Sequence, residues 1–282
     1  MPTESISIRP SPAAWPALIR RNASDLAVAG RRELGLPLDR PIIMTGHQAE
    51  FWHPGILAKY LAADAAAVMM DGAVAWLVVD QDRAESVTLR YPLIEHAGGI
   101  AVKAARVTQR TATARERTPS DSSEPTSVTT GLDRIFAALS HHQSEPTLAR
   151  QIAASLTDLL RPLIRRSPTT LFATDLHKTS LFSGLVARMA RDPESCCRAY
   201  NAAVSHHPAA RIRPLIVDEV QDRFELPLWH LPSDKPRAHV YAEDLGSIPI
   251  EQLAPKALFM TGMLRLAACD LFIHGTGGGG AG

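Results

Sequence analysis

Apolar positions in this chain gather into short unbroken runs, separated by longer segments with a helical spacing of apolar residues. That pattern predicts strands covered on both faces by helices. Ala13 to Gly35 reads as a helix carrying Leu18, Leu26 and Val28, with Gly35 as its stop. "PIIMT" reads as a buried strand, and Pro54-Gly55 opens a helix with Ile56, Leu57, Tyr60 and Leu61 on one face. "AVAWLVVD", Ala73 to Asp80, is the next strand. Strand, helix and strand in this succession make a βαβ unit.

The pattern then changes. "SVTLRYPLI" and "GGIAVKAARV" read as a hairpin or two edge strands, with His96-Ala97-Gly98-Gly99 as the turn. The following stretch, "TQRTATARERTPSDSSEPTSVTTG", has too few large apolar groups to offset its ordering entropy and reads as a linker. Helices are expected at Leu132 to Leu139 and Pro146 to Ile164, then a strand at Thr169 to Asp175, then helices at Lys178 to Arg191 and Pro193 to Ser205. "RPLIVDE" with "RFELPLWHL", and then "AHVYAED", read as strands of a small sheet. "LAPKALFMTGMLRLAACD" reads as one buried helix, and "LFIHG" as the last strand.

These elements predict an α/β parallel sheet with core strands at Ile42-Met44, Ala75-Val79, Leu171-Ala173 and Leu271-Ile273. Four segments are expected. Residues 1–107 form the first half of the core with an edge hairpin, and 108–130 the linker. Residues 131–168 form a helical insertion, and 169–282 the second half, with a small β insertion at about 211–243. The chain stops on a glycine-rich loop directly after a strand, so a truncated frame or fragment is expected.

Composition narrows the function classes. The 282 residues carry 30 Lys+Arg against 29 Asp+Glu, so bulk charge predicts neither nucleic acid nor an anionic membrane as partner. A small-molecule substrate is expected instead, and a homodimer is allowed. Three cysteines, Cys196, Cys197 and Cys269, without a CxxC pair, fit a reducing cytoplasm better than a zinc ribbon or a disulfide framework. No secretory signal and no membrane span is visible. The adjacent pairs His141-His142 and His206-His207 diverge if helical, so a metal would need further ligands, and no metal site is assigned.

Candidate chemistry collects at the ends of the core strands, where ligands of open α/β sheets bind. "TGHQAEFWHPG" places Thr45, Gly46, His47, Gln48 and His53 there. Gly46 would let backbone approach a ligand, and the histidines can donate to an anion or move a proton near neutral pH. A capped strand-to-helix turn would use the same residue types. "VVDQDRAES" supplies Asp80, Gln81 and Asp82, suited to an amine, a histidine or Mg²⁺; strand-end carboxylates also cap helices, but a place beside the first loop across the βαβ crossover favours a site. "ATDLHKTSL" adds His177 and Lys178, where a capped helix start is at least as good a reading, and His274 stands at the end of the last strand. The terminal "TGGGGAG" lacks the Gly-Lys-Ser/Thr ending of a P-loop.

Taken together, "TGHQAEFWHPGILAKYL" and "AWLVVDQDRAES" resemble two hallmarks of the bacillithiol synthase family, a Thr-Gly-Gln-Gln-Ala turn and a strand ending in Glu-Asp-His-Asp. "RIRPLIVDE" and the closing "ALFMTGMLRLAACDLFIHGTGGGG" are similar to it more loosely. His47 stands where that family has its first glutamine, and Gln81 where it has its histidine. The family's C-terminal helical coiled coil has no counterpart here. The resemblance implies a Rossmann-like, nucleotidyltransferase-type core with inserted subdomains. It also implies a ligase activity joining cysteine to the amine of glucosaminyl-malate, with Thr45, Gly46, Gln48, Asp80 and Asp82 as the positions carried over. The expected catalytic residues are Asp80 or Asp82, binding the amine or accepting its proton, and His47, which from its place at the strand end would stabilise developing negative charge. The cofactor is left open, a nucleotide (ATP or ADP) with Mg²⁺ being the one that carboxylate activation suggests. Two alternatives stand beside it: a non-catalytic nucleotide or sugar-phosphate binding module, and a metal-dependent hydrolase.

Overall fold

The computed structural model describes residues 10–19, 22–51, 54–82, 86–94, 100–108, 126–208, 212–218, 220–221 and 223–274. His53, the hairpin turn, most of the expected linker and the terminal glycine run lie outside the described residues. No described helix is long and apolar enough to cross a membrane.

The expected four strands form one parallel sheet, making this an α/β protein. They are β1 (Ile42–Gln48), β2 (Ala73–Val79), β5 (Thr169–Phe172) and β10 (Leu271–Ile273), in the order β10-β1-β2-β5. Thr45 registers with Ile273, and Leu77 with Leu171. Alternation puts Ala75 and Leu77 into the main core with Ile42, Met44 and Leu171. Trp76 points the other way and meets Tyr60 edge-on at 5.1 Å, from α3 (Pro54–Met69). Both faces of β2 are therefore covered, as its unbroken apolar run requires.

Several boundaries differ from expectation; the helix Thr126–His141, for one, begins inside the expected linker. The first helix is broken: α1 (Trp15–Leu18) precedes α2 (Asp25–Glu33), where the Ser24 side chain accepts from Ala27 N–H as a new cap. Gly35 does stop α2, at φ 66°. β1 runs on through Gly46, His47 and Gln48, which had read as a turn. The late helix begins later. Leu253–Pro255 is a strand, β9, because Pro255 holds the residue before it extended, and α8 (Ala257–Ala267) follows.

α2 and α8 approach closely. A Cβ on Gly30 would lie 2.6 Å from the Ala267 carbonyl oxygen, so only glycine fits. Arg31, 2% exposed, reaches from α2 to the fully buried Asp270 carboxylate at 2.8 Å. The second Asp270 oxygen accepts the Ile42 N–H at 2.8 Å. α6 (Ser180–Arg191) packs in the same core, and α7 (Pro193–His206) follows it. The second sheet is antiparallel: β6 (Val217–Asp218), β7 (Arg223–His230) and β8 (Ala238–Tyr241), with β9 also paired to β7.

The hairpin does not edge the parallel sheet. β3 (Ser86–Ile94) and β4 (Ile100–Thr108) form a sheet of their own. Leu89 and Val107 share a core with Leu132 and Leu139 of α4 (Thr126–His141) and with Leu148, Ile152 and Leu156 of α5 (Leu148–Leu160). Two compact units result. One holds the described residues of Met1–His47, Gly55–Asp82 and Arg166–Gly282, the other those of Gln48–Pro54 and Arg83–Arg165. The expectation had split hairpin and helices between two segments. Their apolar faces complete one another, so they belong together.

Candidate functional site

The ends of β1 and β10 come first. Thr45 is fully buried, and its hydroxyl donates to the Ile273 carbonyl at 2.9 Å, locking the two strands together. Gly46 answers to packing: a Cβ there would lie 2.7 Å from both Cβ and the carbonyl oxygen of Leu77. The close approach that its glycine permits is to the neighbouring strand, not to a ligand. His47 is half-buried, and Gln48 is exposed and belongs to the other unit. The sequence reading passed over Lys59 of α3, which donates its ammonium to the Gly46 carbonyl. Burial lowers the Lys59 pKa to about 8. His274 stacks on Phe272 at 4.3 Å; surrounding protein and then the Arg265 and Lys59 cations lower its pKa.

At the end of β2 the expected residues are engaged within the chain. The two Asp80 oxygens accept from Thr174, its N–H at 2.9 Å and its hydroxyl at 2.6 Å, fixing the 3₁₀ turn Ala173–Lys178 that follows β5. Gln81 is buried and donates to the Pro255 carbonyl at 2.7 Å. Asp82, 55% exposed, pairs with Arg237 at 3.0 Å. His177 Nδ1 lies 2.6 Å from the Thr174 carbonyl, and Lys178 pairs with Asp175 at 2.7 Å on the surface. These two are turn and surface contacts.

A denser constellation lies one step further along the same connections. Gln81 ties β2 to β9, and the next residue after β9 is Lys256, 6% exposed. Lys256 donates to Oε1 of Glu225 on β7, a fully buried carboxylate. Three further groups converge on Glu225. His239 Nδ1 of β8 lies 2.7 Å from Oε1. Arg213 donates to both oxygens at 2.7 and 2.9 Å, and the Ile216 N–H donates to Oε2 at 2.8 Å. Trp229 on β7 is half-buried. Its register partners are His239 on β8 and Ala254 on β9. Arg237 lies over its ring at 4.4 Å, Lys256 at 4.8 Å, and the His239 ring sits 4.8 Å away. A continuous chain of contacts thus runs from Asp82 through Arg237 and Trp229 to the Glu225 cluster.

The electrostatics follow from this arrangement. Burial alone would raise the Glu225 pKa, but the hydrogen bonds from Lys256 and the Ile216 N–H, and the nearby positive charge, bring it below the ordinary carboxylate value. Burial lowers the Lys256 pKa against the pull of Glu225. Burial, with Lys256 and Arg213, lowers that of His239 more than Glu225 raises it. The cluster therefore holds a neutral, 40% exposed imidazole at neutral pH, with a buried carboxylate on Nδ1. Lys256 Nζ also lies 3.4 Å from Nδ1; in the tautomer that donates from Nδ1 to the carboxylate, Nε2 is the basic nitrogen. This is the arrangement of an oriented general base.

The thiols contribute little chemistry. Burial pushes Cys196 up to about 11 and Cys269 up to about 12, so neither is a ready thiolate. One signal could have found the constellation from sequence. Glu225 in "RFELPLWH" and Lys256 in "LAPKALFM" are single charges inside apolar runs, and a buried charge requires a partner. No family model, no curated protein and no solved structure matches this chain.

Proposed function

We propose that this chain is a small-molecule enzyme of the bacillithiol synthase type, forming a carbon–nitrogen bond at the C-terminal ends of its Rossmann-like sheet. The observation that carries the reading is His239, half-exposed and held at Nδ1 by the buried Glu225, beside Lys256 and over Trp229. Amide formation needs a neutral amine. An imidazole kept neutral at physiological pH can take the amine's proton as the bond forms. Arg237 and Arg213, partly exposed, can hold a substrate carboxylate. Lys59, with a pKa near 8, and His274 can face the activated group at the neighbouring strand ends. A nucleotide would supply carboxylate activation; the setting is the reducing cytoplasm, where Cys196, Cys197 and Cys269 stay free.

In this reading His239 takes the proton-transfer role first expected of Asp80 or Asp82. Both Asp80 oxygens serve Thr174, which also weakens the Mg²⁺ hydrolase alternative. A second reading is a binding module without turnover. It is favoured by the engagement of Asp80, Gln81 and Asp82 in contacts within the chain.

Incubating the protein with cysteine, glucosaminyl-malate, ATP and Mg²⁺, and following products by mass spectrometry, separates the two. Formation of the cysteinyl amide, reduced at least about 100-fold in His239→Ala as removal of a general base predicts, is the expected result. Thermal stabilisation by ATP or ADP with no amide formed would leave the binding module standing.

A further inference from the structure

The second compact unit holds a cluster outside the site described above. Sequence alone sends the side chains of His141 and His142 apart, because successive helical residues diverge by about 100°. The fold removes that objection. α4 ends at His141, so His142 leaves the helix, and the two rings meet edge-on with centroids 4.8 Å apart. The missing further ligand is supplied by Asp158, in the last turn of α5, whose Oδ2 lies 2.7 Å from His142 Nε2. One ligand atom from each of the three residues lies within 4.8 Å of the others.

The scaffold beneath these groups is rigid. Gln151, fully buried in α5, donates to the Leu139 carbonyl of α4 at 2.8 Å. Leu139, Leu148, Ile152 and Leu156 share one apolar core below it. The negative end of the α4 dipole also falls at His141, which favours a cation there. Arg161, the cation now 3.3 Å from Asp158, has a side chain 78% exposed and can withdraw into solvent.

We infer that His141, His142 and Asp158 form a binding site for a divalent transition-metal ion of the zinc class. Two imidazole nitrogens and one carboxylate oxygen are the donor set that such an ion accepts, with a fourth position left to water or a ligand. The ion takes the place of the contact between His142 Nε2 and Asp158 Oδ2 and draws the three ligands inward. This site is independent of the Glu225 constellation, and its failure would leave the proposed function untouched.

Isothermal titration of the whole chain with ZnCl₂ tests it, with Co²⁺ as a spectroscopic stand-in. One saturable equivalent is expected, with a Co²⁺ visible band, and affinity falling at least about tenfold in each of His141→Ala, His142→Ala and Asp158→Asn. His206→Ala and His207→Ala should bind as the parent does. Circular dichroism verifies folding, and the near-isosteric Asp158→Asn serves if a histidine variant does not fold. No saturable Zn²⁺ binding, binding that survives all three substitutions, or binding lost instead with His206 or His207 would each overturn the inference.

Discussion

Asp270 and Glu225 are both carboxylates sealed from solvent in the same compact unit, yet their surroundings differ in kind. The side-chain partner of Asp270 is sealed with it: Arg31 is 2% exposed, and the backbone N–H groups of half-buried Asn22 and of buried Ile42 complete the set. Those contacts join α2, β1 and the start of β10. Glu225 instead gathers one buried cation, Lys256, and two groups that reach solvent, Arg213 at 55% and His239 at 40% exposed. The first carboxylate is a rivet. The second is a buried anchor for side chains a ligand can touch. Burial of a charge therefore does not by itself mark function; what distinguishes the two is where the partners end.

The largest test removes each anchor. Asp270→Ala should cost about 3–5 kcal/mol, because it strands the Arg31 guanidinium, which cannot shed its charge. Glu225→Ala should cost less, roughly 2 kcal/mol, because Arg213 and His239 can hydrate and Lys256 can deprotonate. Urea unfolding of both variants measures this, and equal costs would erase the distinction. The pH dependence has a definite sign. The folded-state pKa of Glu225 is depressed, so its contribution is complete above the ordinary value of 4.5 and fades as pH falls below it.

A smaller effect of opposite sign is expected at Lys59. Its pKa falls from 10.5 to about 8 on folding, so the charged form is disfavoured in the native state. That cost is present below about pH 8 and is relieved as pH rises towards 10.5. Lys59→Met should therefore stabilise the protein at pH 7 by about 1–2 kcal/mol, after allowance for solvent screening and the lost bond to Gly46, and hardly at all at the alkaline end. Thermal melts across pH follow it; a gain that does not shrink with rising pH would mean that Lys59 is not held in an uncharged-favouring place.

The smallest effect is expected at the rim. Asp82 and Arg237 are 55% and 34% exposed, and Asp82→Asn should change stability by no more than about 0.5 kcal/mol, less still in high salt. A loss as large as that at Glu225 would move Asp82 from the rim into the anchored cluster.

Much of the fold was legible in the chain. The apolar runs at Ile42, Ala75, Leu171 and Leu271 became the four parallel strands, and the hairpin and the stop at Gly35 appeared where expected. The parts that were not legible share a cause. "TGHQ" looked like a turn because glycine and polar residues mark turns, whereas Gly46 is small to admit Leu77 from the next strand. Asp80 looked free because its partner Thr174 lies 94 residues away.

By itself, the sequence determined the types of element, the strand ends at which polar residues accumulate, and the near-neutral charge. These are properties of local periodicity and composition, set by side chains two to four positions apart. Tertiary structure alone decided which polar groups meet. The pairing of Glu225 with Lys256, 31 residues on, and with His239 depends on the register of β7 between β8 and β9, and its pairing with Arg213 on the segment leading into β6. So does the choice between a side chain spent on the fold and one left for a ligand. Strand order and register place side chains across gaps that no local pattern encodes.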